Sequence, residues 1–155
     1  MEKGTDRVER ALSCFNKGFS CSQAIFSAYA QELALNKKTA LRISGAFGGG
    51  MARMGETCGA VTGALMVIGS EYGQTRVEDK EAKERTYDIA KEFVNRFKER
   101  NGYLLCKKLL TYDISTPEGM KIIKEKNLHE TLCSKYIKDA IQILDEILDE
   151  SSGQH

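Results

Sequence analysis

Cysteine is the residue type in this 155-residue chain that offers the most chemistry, and it occurs at positions Cys14, Cys21, Cys58, Cys106 and Cys133. Cysteine thiolates attack electrophiles, form disulfides and bind soft metal ions. No two of the cysteines are separated by only two residues, so local spacing does not indicate a zinc ribbon or a thioredoxin-type pair. The fold would have to assemble any site that several of them share.

Two of the cysteines are predicted in the first turn of a helix. Ser20 and Gln23 have the spacing of a capping box, which predicts a helix that begins at Cys21, and Thr57 is a candidate cap for a helix with Cys58 in its first turn. A thiol at a helix start faces the positive end of the helix dipole, which favours the thiolate and lowers its pKa. Both cysteines are therefore candidates for reactive thiols.

The other three cysteines have different surroundings. Cys106 lies in the short helical pattern "YLLCKKLL", and Cys133 is predicted near the start of the last long helix. Cys14 falls outside the apolar stripe of its helix, which contains Val8 and Leu12. We therefore predict that Cys14 is a peripheral, partly exposed thiol outside the site.

The stretch "GGGMARMGETCGAVTGA", residues 48–64, leads up to and includes Cys58. From Gly50 to Thr57 it fits the phosphate-loop spacing G-x-x-x-x-G-K-[ST], except that Glu56 occupies the lysine position. A carboxylate there would repel phosphate, and helical rather than strand patterning precedes the loop. We therefore predict that these glycines supply an unusual backbone path that delivers the chain to the helix of Cys58.

The two histidines of the chain give little support for a catalytic cysteine–histidine pair. The chain has only His129 and His155, so a cysteine–histidine nucleophilic pair would depend on His129, four residues before Cys133. A solvent-facing position near a helix start is the favoured expectation for His129. A hydrolase is accordingly disfavoured.

The patterning around these residues predicts an all-α fold. No stretch alternates with period two for long enough to form a strand, and we expect one domain over residues 1–155, a compact bundle of six to eight helices with a disordered tail at residues 150–155. The run from Ala60 to Ile68 is nearly apolar on all sides, which predicts a buried central helix, and Gly59 and Gly63 allow neighbouring backbones to approach it closely. Further helices are predicted from Val77 to Arg100 with Tyr87 buried, from Pro117 to Lys126 and from a start between Asn127 and Thr131.

Composition narrows the classes of function. The formal net charge is +1 and basic residues alternate with acidic ones, so no basic patch indicates nucleic-acid binding. The first ten residues are charged and the longest apolar run is far too short to span a bilayer, so we expect no membrane partner and a cytoplasmic location. Permanent disulfides are disfavoured in that reducing compartment.

Four cysteine motifs in order resemble a known family. The segment "GFSCSQ" with Cys21, the core "CGAVTG" from Cys58, and the single residues Cys106 and Cys133 are similar to the C_GCAxxG_C_C family of redox-active proteins. The resemblance implies that these four are the functional thiols and excludes Cys14. Redox activity is assigned to that family mainly because of its cysteines, no substrate is established, and cysteine-rich domains of similar pattern are associated with iron–sulfur centres.

Three interpretations follow from the residues and the resemblance. In the first, two thiols cycle between dithiol and disulfide with an unidentified redox partner, and Cys21 with Cys58 is the first-choice pair. In the second, Cys21, Cys58, Cys106 and Cys133 are metal ligands that bind zinc or an iron–sulfur cluster. In the third, the cysteines are inert and the chain is a helical interaction protein, for example a homodimer. The sequence does not separate the first two.

Overall fold

The structure is a computed structural model that describes residues 2–153. Its regular structure consists of eight α-helices, α1 (Glu2–Asn16), α2 (Cys21–Ala28), α3 (Lys37–Ile43), α4 (Gly59–Tyr72), α5 (Lys80–Asn101), α6 (Cys106–Leu109), α7 (Pro117–Glu125) and α8 (Ser134–Ser152). A 3-10 turn covers Gly45–Phe47, and a π-helical turn covers His129–Cys133. Over the described range there is no strand, only an isolated antiparallel bridge between Thr57 and Leu105. The predicted all-α bundle is confirmed.

Helix α4 is the centre of the bundle, as its apolar sequence predicted. It packs against α2, α5 and α8, while α1 packs against α2 and α8. Ala60, Ala64, Val67 and Ile68 are completely buried. None of the helices within residues 2–153, α4 included, is long and apolar enough to cross a membrane.

Two glycines on α4 hold that helix close to α2. A Cβ atom placed on Gly63 would lie 2.9 Å from the carbonyl oxygen of Ser22 and 2.9 Å from the Cβ of Ile25. A Cβ on Gly59 would lie 2.9 Å from the backbone nitrogen of Ser22 and 3.0 Å from the Cβ of Cys21. The predicted close approach is therefore confirmed, and it places the starts of α2 and α4 side by side.

Side-chain caps mark the starts of four of these helices, α2, α3, α5 and α7. Ser20 and Gln23 form the predicted capping box at the start of α2, and the Thr116 side chain caps α7, which has Pro117 in its first turn. The start of α4 differs from the prediction by one residue. Cys58, not Thr57, is the N-cap, and the helix begins at Gly59.

Helices α5 and α8 differ from their predictions, and α5 begins at Lys80 rather than at Val77. Tyr87 on α5 is 52% exposed, because it lies six residues before the buried Phe93 and thus about 120° around the helix from it. Residues 150–152 are helical rather than disordered, since Ser151 is buried and its carbonyl accepts a hydrogen bond from Arg85. Residues 154 and 155 of the predicted tail lie outside the described residues.

Candidate functional site: a cavity lined by four cysteines

A cavity of about 1110 Å³ brings Cys21, Cys58, Cys106 and Cys133 together. Each of the four residues is only 5–9% exposed, and each contributes to the wall of the cavity. The helix ends that meet there are the starts of α2, α4 and α6 and the turn that precedes α8. The structure therefore gathers the four cysteines that the sequence singled out.

Cys21 and Cys133 lie in the wall of the same cavity. The pKa of the Cys21 thiol is raised well above its ordinary value, because it shares a hydrogen bond with the Cys133 thiol, because it is buried, and because charge on Cys133 opposes a second negative charge. Cys58, the predicted partner of Cys21, does not contribute to the pKa shift of Cys21, although Cys21 raises the pKa of Cys58 through charge. Of the cavity cysteines, Cys133 therefore has the strongest influence on the pKa of Cys21.

Backbone pairing holds Cys58 and Cys106 beside each other. The N–H of Cys58 donates to the carbonyl of Leu104 over 2.8 Å, and the N–H of Cys106 donates to the carbonyl of Glu56 over 2.6 Å. These two bonds flank the isolated bridge and tie the start of α4 to the start of α6. Two cysteines that are 48 residues apart in the sequence, at positions 58 and 106, therefore line one wall.

Burial reverses the predicted effect of the helix starts on thiol pKa. The N–H groups of Ala60 and Val61 favour the Cys58 thiolate, yet burial and the nearby Cys21 raise the pKa of Cys58 to about 12. The pKa of Cys106 is also raised to about 12, first by burial and then by neighbouring cysteines and Asp113. Cys21, Cys58 and Cys106 are therefore protonated at neutral pH, and the prediction of dipole-activated thiolates at Cys21 and Cys58 was wrong.

The glycine-rich loop contains a left-handed turn beside the cavity. Five consecutive residues have positive φ, Gly49 at 66°, Gly50 at 69°, Met51 at 67°, Ala52 at 53° and Arg53 at 60°. For residues other than glycine this conformation costs roughly 1–2 kcal/mol each. The turn is closed by a 3.0 Å hydrogen bond from the N–H of Arg53 to the carbonyl of Gly48. The predicted unusual backbone path is confirmed.

The glycines of this loop fit closely against the residues that carry or adjoin the thiols. A Cβ atom on Gly48 would collide with the side chain of Ser20, the N-cap residue that precedes Cys21. A Cβ on Gly50 would lie 2.6 Å from the Cβ of Cys106 and 2.7 Å from the backbone of Glu56. The loop therefore shapes the cysteine cavity.

His129 belongs to the site, contrary to the prediction that it faces solvent. Its side chain is half-buried, lines the cavity, and places Nδ1 3.7 Å from the Sγ of Cys133. Burial lowers its pKa, and the charges of Arg53 and Lys124 lower it further, so the imidazole is neutral at pH 7. The four-residue spacing of His129 and Cys133 was the available signal, and the π-helical turn brings the two side chains together.

Tyr136 also lines the cavity, although the sequence indicated only a core position. Its hydroxyl donates a 2.8 Å hydrogen bond to the carbonyl of Leu109, the last residue of α6. Burial, followed by charge on Cys133 and other cysteines, raises the pKa of Tyr136 to about 12. The ring thus connects α8 to the helix that carries Cys106.

Cys14 is buried, so the prediction of a peripheral, partly exposed thiol was wrong. It is 6% exposed, and its Sγ lies 3.7 Å from the Oγ of Ser27, between α1 and α2. The buried face of α1 is centred on Ala11 and Cys14, with Val8 only partly buried. Cys14 does not line the cavity.

A model of the family described as "Putative redox-active protein (C_GCAxxG_C_C)" matches residues 19–147. The chain belongs to this family. No curated protein and no solved structure was found that matches it. The region matched by the C_GCAxxG_C_C family contains all four cavity cysteines, and Cys14 precedes it. The family name gives the order of the core residues as Gly-Cys-Ala. In this chain the order is Cys58-Gly59-Ala60, and Gly59 is a residue at which α4 contacts Ser22.

The four cysteines of this C_GCAxxG_C_C protein are not arranged as a preformed set of metal ligands. In the part of the chain that the structure describes, no group of three or more cysteine, histidine, aspartate or glutamate side chains is arranged to hold a metal ion. Zinc and iron–sulfur clusters require four ligands that converge on the metal. The interpretation of Cys21, Cys58, Cys106 and Cys133 as metal ligands therefore stays a prediction.

Proposed function

We propose that the protein is a thiol–disulfide oxidoreductase in which Cys21 and Cys133 form the redox-active pair. The observation that carries this proposal is that both thiols line one open cavity, where Cys133 lies beside His129 and is the cysteine that most raises the pKa of Cys21. All five cysteines are free, so the pair is present as a dithiol. The family description supports redox activity without specifying the chemistry.

Cys133 acts as the nucleophile in this proposal. The pKa of Cys21 is raised well above its ordinary value, so Cys21 keeps its proton, and Cys133 is the thiol of the pair that has a base beside it. The neutral imidazole of His129 lies 3.7 Å away and accepts that proton. In this proposal, proton transfer to His129 replaces activation by a helix dipole.

The reaction transfers two electrons. The Cys133 sulfur attacks one sulfur of a substrate disulfide and breaks the substrate S–S bond, which gives a mixed disulfide and releases one thiol after protonation. The Cys21 sulfur then attacks Cys133, releases the second substrate thiol and leaves a Cys21–Cys133 disulfide. The substrate disulfide is reduced to two thiols, and the protein dithiol is oxidised.

Cys58 and Cys106 form a second dithiol in the same cavity. Both thiols have a pKa near 12, and Cys106 interacts with Cys58 and Cys21 through charge alone. Within the described residues neither thiol forms a hydrogen bond to a base, whereas Cys133 lies 3.7 Å from the Nδ1 of His129, so we expect Cys58 and Cys106 to remain reduced under mild oxidation.

The test is a free-thiol count and peptide mapping after anaerobic purification and mild oxidation. We expect the loss of two thiols and a Cys21–Cys133 crosslink that dithiothreitol reverses. Cys21→Ser and Cys133→Ser should abolish the crosslink, whereas the matched control Cys14→Ser should retain it. A Cys21–Cys58 crosslink would contradict the assigned pair, and unchanged thiols would favour inert cysteines.

A metal centre is the second candidate, because four cysteines line one cavity. Metal analysis and an absorption spectrum of the same anaerobic protein distinguish it from the dithiol. Iron or zinc at one equivalent or more that is lost in both Cys58→Ser and Cys106→Ser would overturn the oxidoreductase proposal. The absence of bound metal, together with reversible oxidation of two thiols, would support it.

A further inference from the structure

Two cationic side chains at the mouth of the cavity have no role in the proposed thiol chemistry. Arg53 and Lys124 both line the cavity, and both residues are exposed. Neither forms an ion pair within the described part of the chain. Both charges lower the pKa of His129, whose Nδ1 lies 3.7 Å from the Sγ of Cys133.

The fold places Arg53 there at a conformational cost. Arg53 is the last residue of the left-handed turn, and three of the five residues in that turn are not glycine. A Cβ atom on Gly49 would lie 2.8 Å from the Cγ of Arg53, so glycine makes room for that side chain. Strained backbone of this kind concentrates at functional sites, where the surrounding structure holds it in place.

One carboxylate, Glu130, shares the cavity lining with these cations. It accepts a 2.6 Å hydrogen bond from the Nδ2 of Asn127, so it already has a polar partner. Since His129 is neutral, Arg53, Lys124 and Glu130 leave a net positive charge at the mouth. An anionic ligand therefore gains from entering at this end.

We infer that the substrate is a small-molecule disulfide that bears carboxylate groups, which bind Arg53 and Lys124 while the S–S bond meets Cys133. This inference rests on the proposed oxidoreductase function. The cavity of about 1110 Å³ is slightly larger than the usual range for small-ligand sites, roughly 300–1,000 Å³, and accommodates a molecule of short-peptide size. One such disulfide takes up two electrons and two protons and leaves as two thiols, and Cys21 and Cys133 become a disulfide.

The experiment compares three disulfides in single turnovers of the fully reduced protein. The probes are dithiodipropionate, which is anionic, hydroxyethyl disulfide, which is neutral, and cystamine, which is cationic. In Arg53→Gln/Lys124→Gln the rate with dithiodipropionate should fall by roughly 2-fold to 25-fold, because each exposed ion pair contributes a factor of about 1.4 to 5. The rate with hydroxyethyl disulfide should stay within about twofold, and the rate with cystamine should rise. The matched control Lys38→Gln/Arg42→Gln removes two exposed cations that do not line the cavity.

Failure of this inference is distinguishable from failure of the proposed function. If Cys133→Ser reacts with hydroxyethyl disulfide as fast as the wild-type protein, the proposed function fails. If the reaction requires Cys133 but Arg53→Gln/Lys124→Gln slows all three probes equally, or slows none, only the substrate class is overturned. Faster reduction of insulin than of any small disulfide would indicate a protein substrate and also overturn it.

Ionic strength provides a second measurement that needs no variant. Added salt should reduce the preference of the wild-type protein for dithiodipropionate over hydroxyethyl disulfide, because exposed charges are screened beyond about 10 Å at 0.1 M salt. A preference that salt leaves unchanged would contradict recognition by exposed cations.

Discussion

The Nδ1 atom of His129 lies 3.7 Å from the Sγ atom of Cys133, and the π-helical turn His129–Cys133 spans the distance between them. The imidazole is half-buried and its pKa is lowered, so it is a proton acceptor at neutral pH. The other three cavity thiols have raised pKa values. The reactivity of the cavity should therefore depend on this contact.

His129→Gln removes the proton acceptor and keeps a polar side chain. We expect alkylation of Cys133 by iodoacetamide at pH 7 to slow by about 10-fold or more, since general acid–base catalysis contributes roughly 10²- to 10⁴-fold. In the wild-type protein the rate should fall as pH drops through the His129 pKa, which lies below 6.5, because protonation removes the base. Peptide mapping by mass spectrometry follows Cys133, and His155→Gln is the control. Identical pH profiles for wild type and His129→Gln would contradict the role of His129.

Buried thiols make the fold sensitive to alkaline pH. The folded pKa of Cys58 and of Cys106 is about 12, above the ordinary value of 9.0, and that of Cys21 is also raised. Because the folded state holds these protons more tightly, their stabilisation is fully present below pH 9 and is lost as pH rises toward 12. Urea unfolding between pH 8 and pH 10.5 under reducing conditions should show a loss on the order of 1 kcal/mol per pH unit for each thiol. Cys58→Ala should reduce the loss of unfolding free energy with rising pH. The same pH dependence in the wild-type protein and in Cys58→Ala would contradict the explanation.

Gly63 and Gly69 provide a matched pair of positions on α4. Gly63→Ala should lower the free energy of unfolding by about 1–3 kcal/mol, because its Cβ would press on the Ser22 carbonyl and on Ile25. A Cβ on Gly69 meets no atom within 4 Å, so Gly69→Ala should raise the free energy of unfolding by up to about 1 kcal/mol. Chemical denaturation measures both changes. Changes of the same sign would show that helix propensity, not the contact with α2, dominates.

Asp145 is the acceptor of a partly buried network that joins three helices. It pairs with Arg7 on α1 and accepts a 2.8 Å hydrogen bond from the hydroxyl of Tyr29, which follows α2. The Arg7 guanidinium also stacks 4.4 Å from the centroid of the Tyr29 ring. Asp145→Asn should lower the free energy of unfolding by about 2–4 kcal/mol, since it leaves the Arg7 charge without its closest partner.

The control for Asp145→Asn is Glu150→Gln, which removes a carboxylate from the same helix. Glu150 forms an exposed pair with Arg96, so its replacement should have a much smaller effect. Thermal unfolding of both variants at the same pH compares them. Equal losses of thermal stability would show that the Arg7 network stabilises the fold no more than an exposed ion pair does.

Short-range signals in the sequence predicted the fold well. Ser20 with Gln23 predicted the start of α2, Thr116 with Pro117 predicted the start of α7, and the apolar run predicted the buried α4. These signals work because caps and helix periodicity involve residues within one or two turns of each other. The start of α4 was misplaced by one residue because Thr57 instead belongs to the bridge.

The environment of the site was harder to predict, because it depends on contacts between distant segments. The raised pKa values of Cys21 and Cys58 come from burial and from other cysteines, which a local dipole argument does not include. Cys14 appeared peripheral because the buried face of α1 depends on how α2 packs against it. The position of His129 depends on a π-helical turn, which the sequence pattern did not indicate.

In the left-handed turn, Ala52 has a backbone conformation that is unfavourable for an L-amino acid and favourable for a D-amino acid. Its φ of 53° is the conformation that the mirror-image amino acid adopts without penalty. In a chemically synthesised chain, D-alanine at position 52 should therefore be accommodated and should stabilise the fold by roughly 1 kcal/mol. The same replacement inside a right-handed helix such as α4 would be disruptive. Position 52 of this loop should therefore accept a D-amino acid in a protein that otherwise consists of L-amino acids.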